Sequence, residues 1–180
     1  MEAIGQRSGA SKTLGYAYFT NVDHVLLALR ERELRLLYER VRRAASAATT
    51  FDAQMHAALT AYFDSVAERG LLLIELEQAV RARRIVTSPT DGTNDFLDWL
   101  ADLINAELSV GRRRAKVLAG VVAASVNTHA AIWRASRFTR AQIEAAALAF
   151  VLGGMRSAAA QAVAEAVAAE TGHGEDVRRR

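Results

Sequence analysis

The chain has 180 residues, 51% of them apolar, with a single proline and no cysteine. That is enough material for a sizeable core plus a small additional unit, and it excludes a disulfide framework or a thiolate metal site. Lys and Arg (23) barely exceed Asp and Glu (20), a formal charge of +3, so no general affinity for polyanions follows. The Ala- and Leu-rich composition, with few β-branched runs, points to an all-α protein. Charges interrupt every candidate apolar run before it reaches transmembrane length, and the N-terminus lacks the basic start and apolar block of a signal peptide. The expectation is a soluble, cytoplasmic protein with no membrane partner.

The most informative stretch comes first. Ile4-Gly5-Gln6-Arg7-Ser8 reads as the end of one helix, and Ser8-Gly9-Ala10 as a tight turn closed by glycine. Ser11 is a good N-cap for a further short helix over Lys12 to Phe19. A helix, a short glycine turn and a second short helix form the pattern of a helix-turn-helix, whose second helix lies in the DNA major groove.

With Tyr16-Ala17-Tyr18-Phe19, Asn21-Val22-Asp23 and Leu26 added, the stretch resembles the TetR/AcrR family of transcriptional regulators. The resemblance covers about the first thirty residues and rests on a glycine, a serine and two aromatics at fixed offsets. Beyond them only the general helical layout is similar. The chain departs from the family in three ways: Gly15 replaces a core leucine, Val22 replaces a lysine, and the first helix of the three-helix DNA-binding domain does not precede Ile4. Either the natural start lies upstream of Met1 or the head is a reduced one. Gly15 costs its helix about 0.5–1 kcal/mol relative to alanine. Losing the cation at position 22 removes about one unit of salt slope, so DNA binding weaker than average is expected.

Carried over residue by residue, the resemblance implies DNA contacts from Ser11, Lys12, Thr13, Leu14, Tyr16 and Tyr18. Lys12 would meet a phosphate or the O6 and N7 of guanine, the tyrosine hydroxyls would donate to phosphates, and Leu14 would touch a thymine methyl. For Phe19 core packing is the preferred reading. The domain division expected is a partial head over 1–20, a helical effector-binding and dimerisation body over 21–170, and a frayed tail over 171–180.

In the body, Asn21 caps a long helix that runs to about Ala48, with Val22, Val25, Leu26, Leu29, Leu36, Leu37 and Val41 as its apolar stripe. Glu31–Arg35 and Glu39–Arg43 are favourable i,i+4 pairs along it. Phe51 to Arg69 forms the next helix, with Gly70 as its stop, and Leu71 to Arg83 a third. Ile85 to Thr93, holding Ser88-Pro89-Thr90-Asp91-Gly92, is the one clear loop. Helices follow over Asn94 to about Leu108, Gly111 to about Ser136 and Thr139 to Glu170. Lys12 and Lys116 are the only lysines, and the arginines cluster at 40, 42 and 43, at 81, 83 and 84, at 112–114 and at 178–180. Clusters at C-terminal helix ends suit the carbonyl dipole and read as solvated ends.

Met55, Leu59, Tyr62, Phe96, Trp99 and Leu103 supply the aromatic and flexible apolar walls that small-molecule sites use, and Asn127 and His129 add polar groups on a later helix. At helical spacing such a stripe is more often plain core, and Asn127 and His129 are as well explained by hydrogen-bonded core partners. The resemblance is what turns them into candidates for an effector pocket. Asp98 or Asp102 would favour a cationic ligand, although a solvated acidic face is the simpler account. Gly120, Ala124, Gly153, Gly154 and Ala158 lie on the two last, alanine-rich helices, which in the family pair with those of a second subunit. Ordinary packing within one chain explains the same small residues nearly as well.

His24, His56, His129 and His173 share no metal-ligand spacing, and no phosphate loop or nucleophile motif occurs, so neither an enzyme nor a cofactor is expected. Two functions remain. One is a homodimeric regulator, in the resemblance a repressor, released from a palindromic operator by a small apolar or amphipathic effector. The other is a helical small-molecule-binding or protein-interaction module that no longer binds DNA.

Overall fold

The computed structural model describes residues 18–85 and 91–177, and these form five α-helices with no strand among them, the all-α architecture expected. Asn21 opens α1, Val22–Ser46, its side chain accepting from the His24 amide at 2.9 Å. Thr50 caps α2, Phe51–Ala82, accepting from the Ala53 amide at 3.3 Å. Then come α3, Asp91–Leu108, α4, Arg112–Ala135, and α5, Arg140–Val177. A reciprocal box starts α5: the Thr139 amide donates to Gln142 Oε1 at 2.9 Å, and the Gln142 amide to Thr139 Oγ1 at 3.3 Å.

Three boundaries differ from the sequence reading. Gly70 does not stop a helix; α2 runs straight through it. The glycine sits where α2 meets the Arg134 side chain of α4: a Cβ there would lie 3.0 Å from Arg134 Nη1 and 3.1 Å from Val66 Cγ1. The real end of α2 comes at Ala82 with Arg83 as cap, close to the end read at Arg83, and Arg84 just past it lies in the left-handed region with φ 53°. The amides of Ile85 and Arg84 there donate to the carbonyls of Val80 and Arg81 at 3.1 and 3.0 Å, the paired bonds of a Schellman end. Helix α3 begins at Asp91, three residues before Asn94, and α5 continues to Val177, into the stretch read as a tail.

α1 packs chiefly on α2, and α3 on α4, while α5 lies against α4 and α2. The larger core joins all five helices through Leu37, Val41, Phe51, Met55, Phe96, Leu100, Ile104, Ala119, Val151 and Met155. A second, smaller core gathers Leu59, Phe63, Val66, Ala130, Ile143 and Ala147. Tyr62, Val126 and Leu148 touch both.

Ion pairs run the length of the α1–α2 seam. Asp23 pairs with Arg83, Arg30 with Glu77 at 2.5 Å, Glu33 with Arg69 at 3.0 Å and Arg40 with Glu68 at 2.7 Å. Their order makes the two helices antiparallel. The Arg40 guanidinium holds the Glu68 carboxyl below its ordinary range. The i,i+4 pairs expected along α1, Glu31–Arg35 and Glu39–Arg43, do not form among the described residues, and the ion pairs of α1 are made by other residues, across the seam. The Arg112–Arg114 cluster lies at the N-terminus of α4, the wrong end for the helix dipole. Arg112 pairs there with Asp102, and Arg114 with Glu165 at 2.6 Å.

The alanine-rich helices divide their small residues between two environments. Ala115, Ala119, Ala130 and Ala147 are buried within the chain. Gly120, Gly153 and Gly154 face open space, Ala124 is exposed and Ala158 is half-buried. Near them Val117, Val121, Phe150 and Val163 are all more than half exposed. Two segments, Arg112–Ala135 and Arg140–Glu165, are long and apolar enough to cross a membrane by length and composition alone, contrary to the sequence reading. In the first the arginines sit at the ends and leave residues 117–133 without a charge; in the second Arg156 is the one charged residue between Glu144 and Glu165.

Candidate functional site: an elongated cavity between four helices

A cavity of about 690 Å³ lies between α1, α2, α3 and α4, with Leu148 and Val151 of α5 closing one side. That volume is in the range of small-molecule sites. Of the residues singled out in the sequence, Met55, Leu59, Tyr62, Phe96, Trp99 and Asn127 line it together. Helical spacing brings them there: 55, 59, 62 and 66 share one face of α2, and 96, 99 and 100 one face of α3.

Two residues lie outside it. Leu103 is one turn beyond Leu100 and packs half-buried on the core. His129 is two residues from Asn127, about 200° around the helix, so the two cannot share a face. Its Nδ1 lies 2.7 Å from the Ser125 carbonyl oxygen, and its ring lies 5.8 Å from that of Phe150 on the outer α4–α5 side. Nor do the acidic candidates reach the cavity. Asp98 pairs with Lys116 at 2.7 Å, which holds its carboxyl below the usual range, and Asp102 pairs with Arg112.

The Tyr62 hydroxyl donates to Asn127 Oδ1 at 2.5 Å, tying α2 to α4. Burial, with Tyr38 nearby, pushes the Tyr62 phenol up to about 12. Tyr38 of α1 stacks on Phe96 of α3, with ring centroids 4.3 Å apart and planes 11° from parallel. Arg42 lies over the outer edge of the same aromatic group, 5.9 Å from the Phe96 centroid and 5.7 Å from that of Trp99. Leu34, Leu37, Tyr38 and Val41 make α1 a full wall of the cavity.

The charged groups at the cavity were not foreseen. Arg30, Glu77, Arg81 and Arg134 all line it, as does Gln78. In the sequence Arg81 belongs to a cluster that reads as a solvated helix end, and nothing in the spacing of Arg30 or Arg134 marks them as lining a cavity.

Of the DNA-contact candidates, Ser11, Lys12, Thr13, Leu14 and Tyr16 lie outside the described residues, and Tyr18 is 76% exposed. Among the described residues no three His, Asp or Glu side chains gather closely enough to hold a metal ion.

An all-helical protein with an internal cavity walled by its first described helix is the class defined here. No family model matches the chain. Over 131 residues it is 29% identical to the HTH-type transcriptional activator FasR of Mycolicibacterium smegmatis, an alignment covering 71% of this chain. The chain spans about 60% of the length of that relative. Its similarity is therefore to a helix-turn-helix transcriptional regulator.

Proposed function

We propose that this chain is a ligand-responsive transcriptional regulator of the TetR type, acting in the cytoplasm as a homodimer on a palindromic operator, and that it is not an enzyme. The observation that carries the proposal is the position of α1. This helix begins directly after the helix-turn-helix-like stretch over 1–20 and walls the cavity with Leu34, Leu37, Tyr38 and Val41. A molecule seated in the cavity touches the element that carries the head. An effector shifts such an equilibrium only as far as it binds one state more tightly than the other, and contacts along α1 provide that difference. The uncovered apolar side of α4 and α5, with Val121, Ala124, Phe150, Gly153 and Gly154, supports a second copy as partner. Two heads about 34–36 Å apart, or a multiple of that, would read a palindrome. The relative is named an activator; release of the operator by effector, the mode the resemblance implies, makes this chain a repressor.

The test is fluorescence anisotropy of the chain with DNA flanking its own gene, titrated with salt and repeated with Lys12→Ala and Tyr16→Phe. Salt-sensitive binding weakened by both substitutions is the expected result. If binding is absent, and stays absent when any upstream in-frame codons are restored, the proposal gives way to the helical ligand-binding module without DNA.

A further inference from the structure

The cavity is chemically two-ended. From Leu37, Val41, Met55, Phe96, Leu100 and Val151 it presents only apolar groups. Its charged groups lie elsewhere: Arg30 of α1 with Glu77 and Arg81 of α2 at one end, and Arg134 beside Gly70, about 16 Å along α2 from Arg81. The antiparallel order of α1 and α2 puts Arg30 at the same end as Glu77 and Arg81. Between Met55 and Gln78, α2 rises by about 35 Å, so the two ends are far apart and the space is long.

The balance of charge at that end is positive. Glu77, the one carboxylate on the wall, is engaged by Arg30 at 2.5 Å. Arg81 and Arg134 have no ion-pair partner among the described residues. Guanidinium groups offer a planar fork of donors that fits a carboxylate or phosphate, and such charge-assisted bonds are about twice as strong as neutral ones. A neutral molecule would leave two cations at the cavity unmatched, and a cationic one would be repelled.

We infer that the cavity takes a long-chain anionic amphiphile, its chain among the apolar residues and its anionic head at the Arg81 and Arg30 end, where Glu77 competes with that head for Arg30 and Arg134 adds positive charge along the wall. This deepens the proposed function and rests on its reading of the cavity as the effector site. Glu77 acts as an internal counter-ion: in the empty protein it holds Arg30, and with it α1, to α2. An incoming anion draws Arg30 away and loosens that one rung of the α1–α2 seam, the rung that faces the cavity.

The experiment compares tetradecanoate, tetradecanol and tetradecylamine, each below its aggregation threshold, by isothermal calorimetry and by quenching of Trp99, which lines the cavity. Tetradecanoate is expected to bind roughly tenfold or more tighter than the alcohol, and the amine most weakly. Arg81→Ala should weaken tetradecanoate by roughly tenfold and Arg134→Ala, farther from the head, by less, both at exposed positions and both leaving the alcohol within about twofold. Glu77→Gln should tighten tetradecanoate severalfold, an outcome that a merely misfolded variant cannot give. Equal binding of acid and alcohol, or an unchanged Glu77→Gln affinity, overturns the anionic assignment while leaving a small-molecule cavity. Failure of all three probes overturns both the assignment and the effector cavity. Binding of tetradecanoate by a chain that ignores DNA keeps the assignment and removes the regulator.

Discussion

The Tyr62 hydroxyl on α2 and the Asn127 carboxamide oxygen on α4 lie 2.5 Å apart, a hydrogen bond between two helices that also meet where Phe63 packs on Trp133. The phenol must stay protonated to donate, and burial secures this by raising it to about 12 from 10.0. Because the folded value is the higher, the unfolded chain ionises first. The contribution is complete below about pH 10 and is lost progressively between about pH 10 and about pH 12. Thermal unfolding across that range should show a fall in stability that Tyr62→Phe flattens. The same substitution costs about 0.5–1.5 kcal/mol at neutral pH, plus what the unpaired Asn127 loses. Parallel pH profiles for the two proteins would rule the mechanism out.

Glu33 lies on the core face of α1, in line with Leu37 and Val41, and is only 3% exposed. Its two carboxylate oxygens receive Arg69 Nε at 3.0 Å and Nη2 at 3.1 Å. Removing the arginine strands a buried carboxylate, whereas removing both charges does not. Arg69→Ala should destabilise by about 1–3 kcal/mol, and Glu33→Leu/Arg69→Leu by less than the two single changes summed. Urea denaturation of the four proteins gives the coupling directly. Additive changes would mean that water, not Arg69, satisfies Glu33.

Gly70 and Arg84 separate what the sequence discloses from what it hides. Glycine is the usual sign of a helix end, yet α2 continues through Gly70, which lies against the Arg134 side chain of α4. The true end uses an arginine in the left-handed region, where no propensity scale would put it. Local rules found the Asn21 cap, whose bond spans three residues, and the start of α2 at Phe51. They also put the end of the Leu71–Arg83 segment at the observed cap, Arg83, but missed the continuity of the helix through Gly70. Arg84→Gly should therefore stabilise the protein by about 1 kcal/mol. Gly70→Ala should gain about 0.5 kcal/mol, since the exposed Arg134 guanidinium can swing aside and Val66 need give only a little. A loss of stability in the first would mean that the arginine side chain, not the backbone, ends α2.

The same limit governs the site. Periodicity on α2 and α3 brought Met55, Leu59, Tyr62, Phe96 and Trp99 to one cavity, because a shared face follows from spacing within a helix. The contribution of α1, and the inward-facing Arg30, Arg81 and Arg134, depend on how separate helices meet. His129 shows the cost of ignoring phase: polarity inside an apolar helix drew attention to it, but its angle from Asn127 takes it to the opposite side.

That opposite side carries the last prediction. Val117, Val121, Ala124 and Thr128 follow one another at i, i+4, i+7 and i+11 along α4, all exposed, and on α5 Phe150 precedes the open Gly153 and Gly154. Val121 is 55% and Phe150 59% exposed, so an apolar band faces water in the single chain. If a second copy covers it, as proposed, a charge at its centre must be buried without a partner, at a cost of several kcal/mol per interface. Val121→Glu and Phe150→Glu should convert a dimer to a monomer in sedimentation velocity at micromolar concentration. Each monomer's helix content should stay unchanged, because neither side chain belongs to the chain's own core. A variant that remains dimeric would move the interface elsewhere, and a wild-type chain that sediments as a monomer would overturn the homodimer.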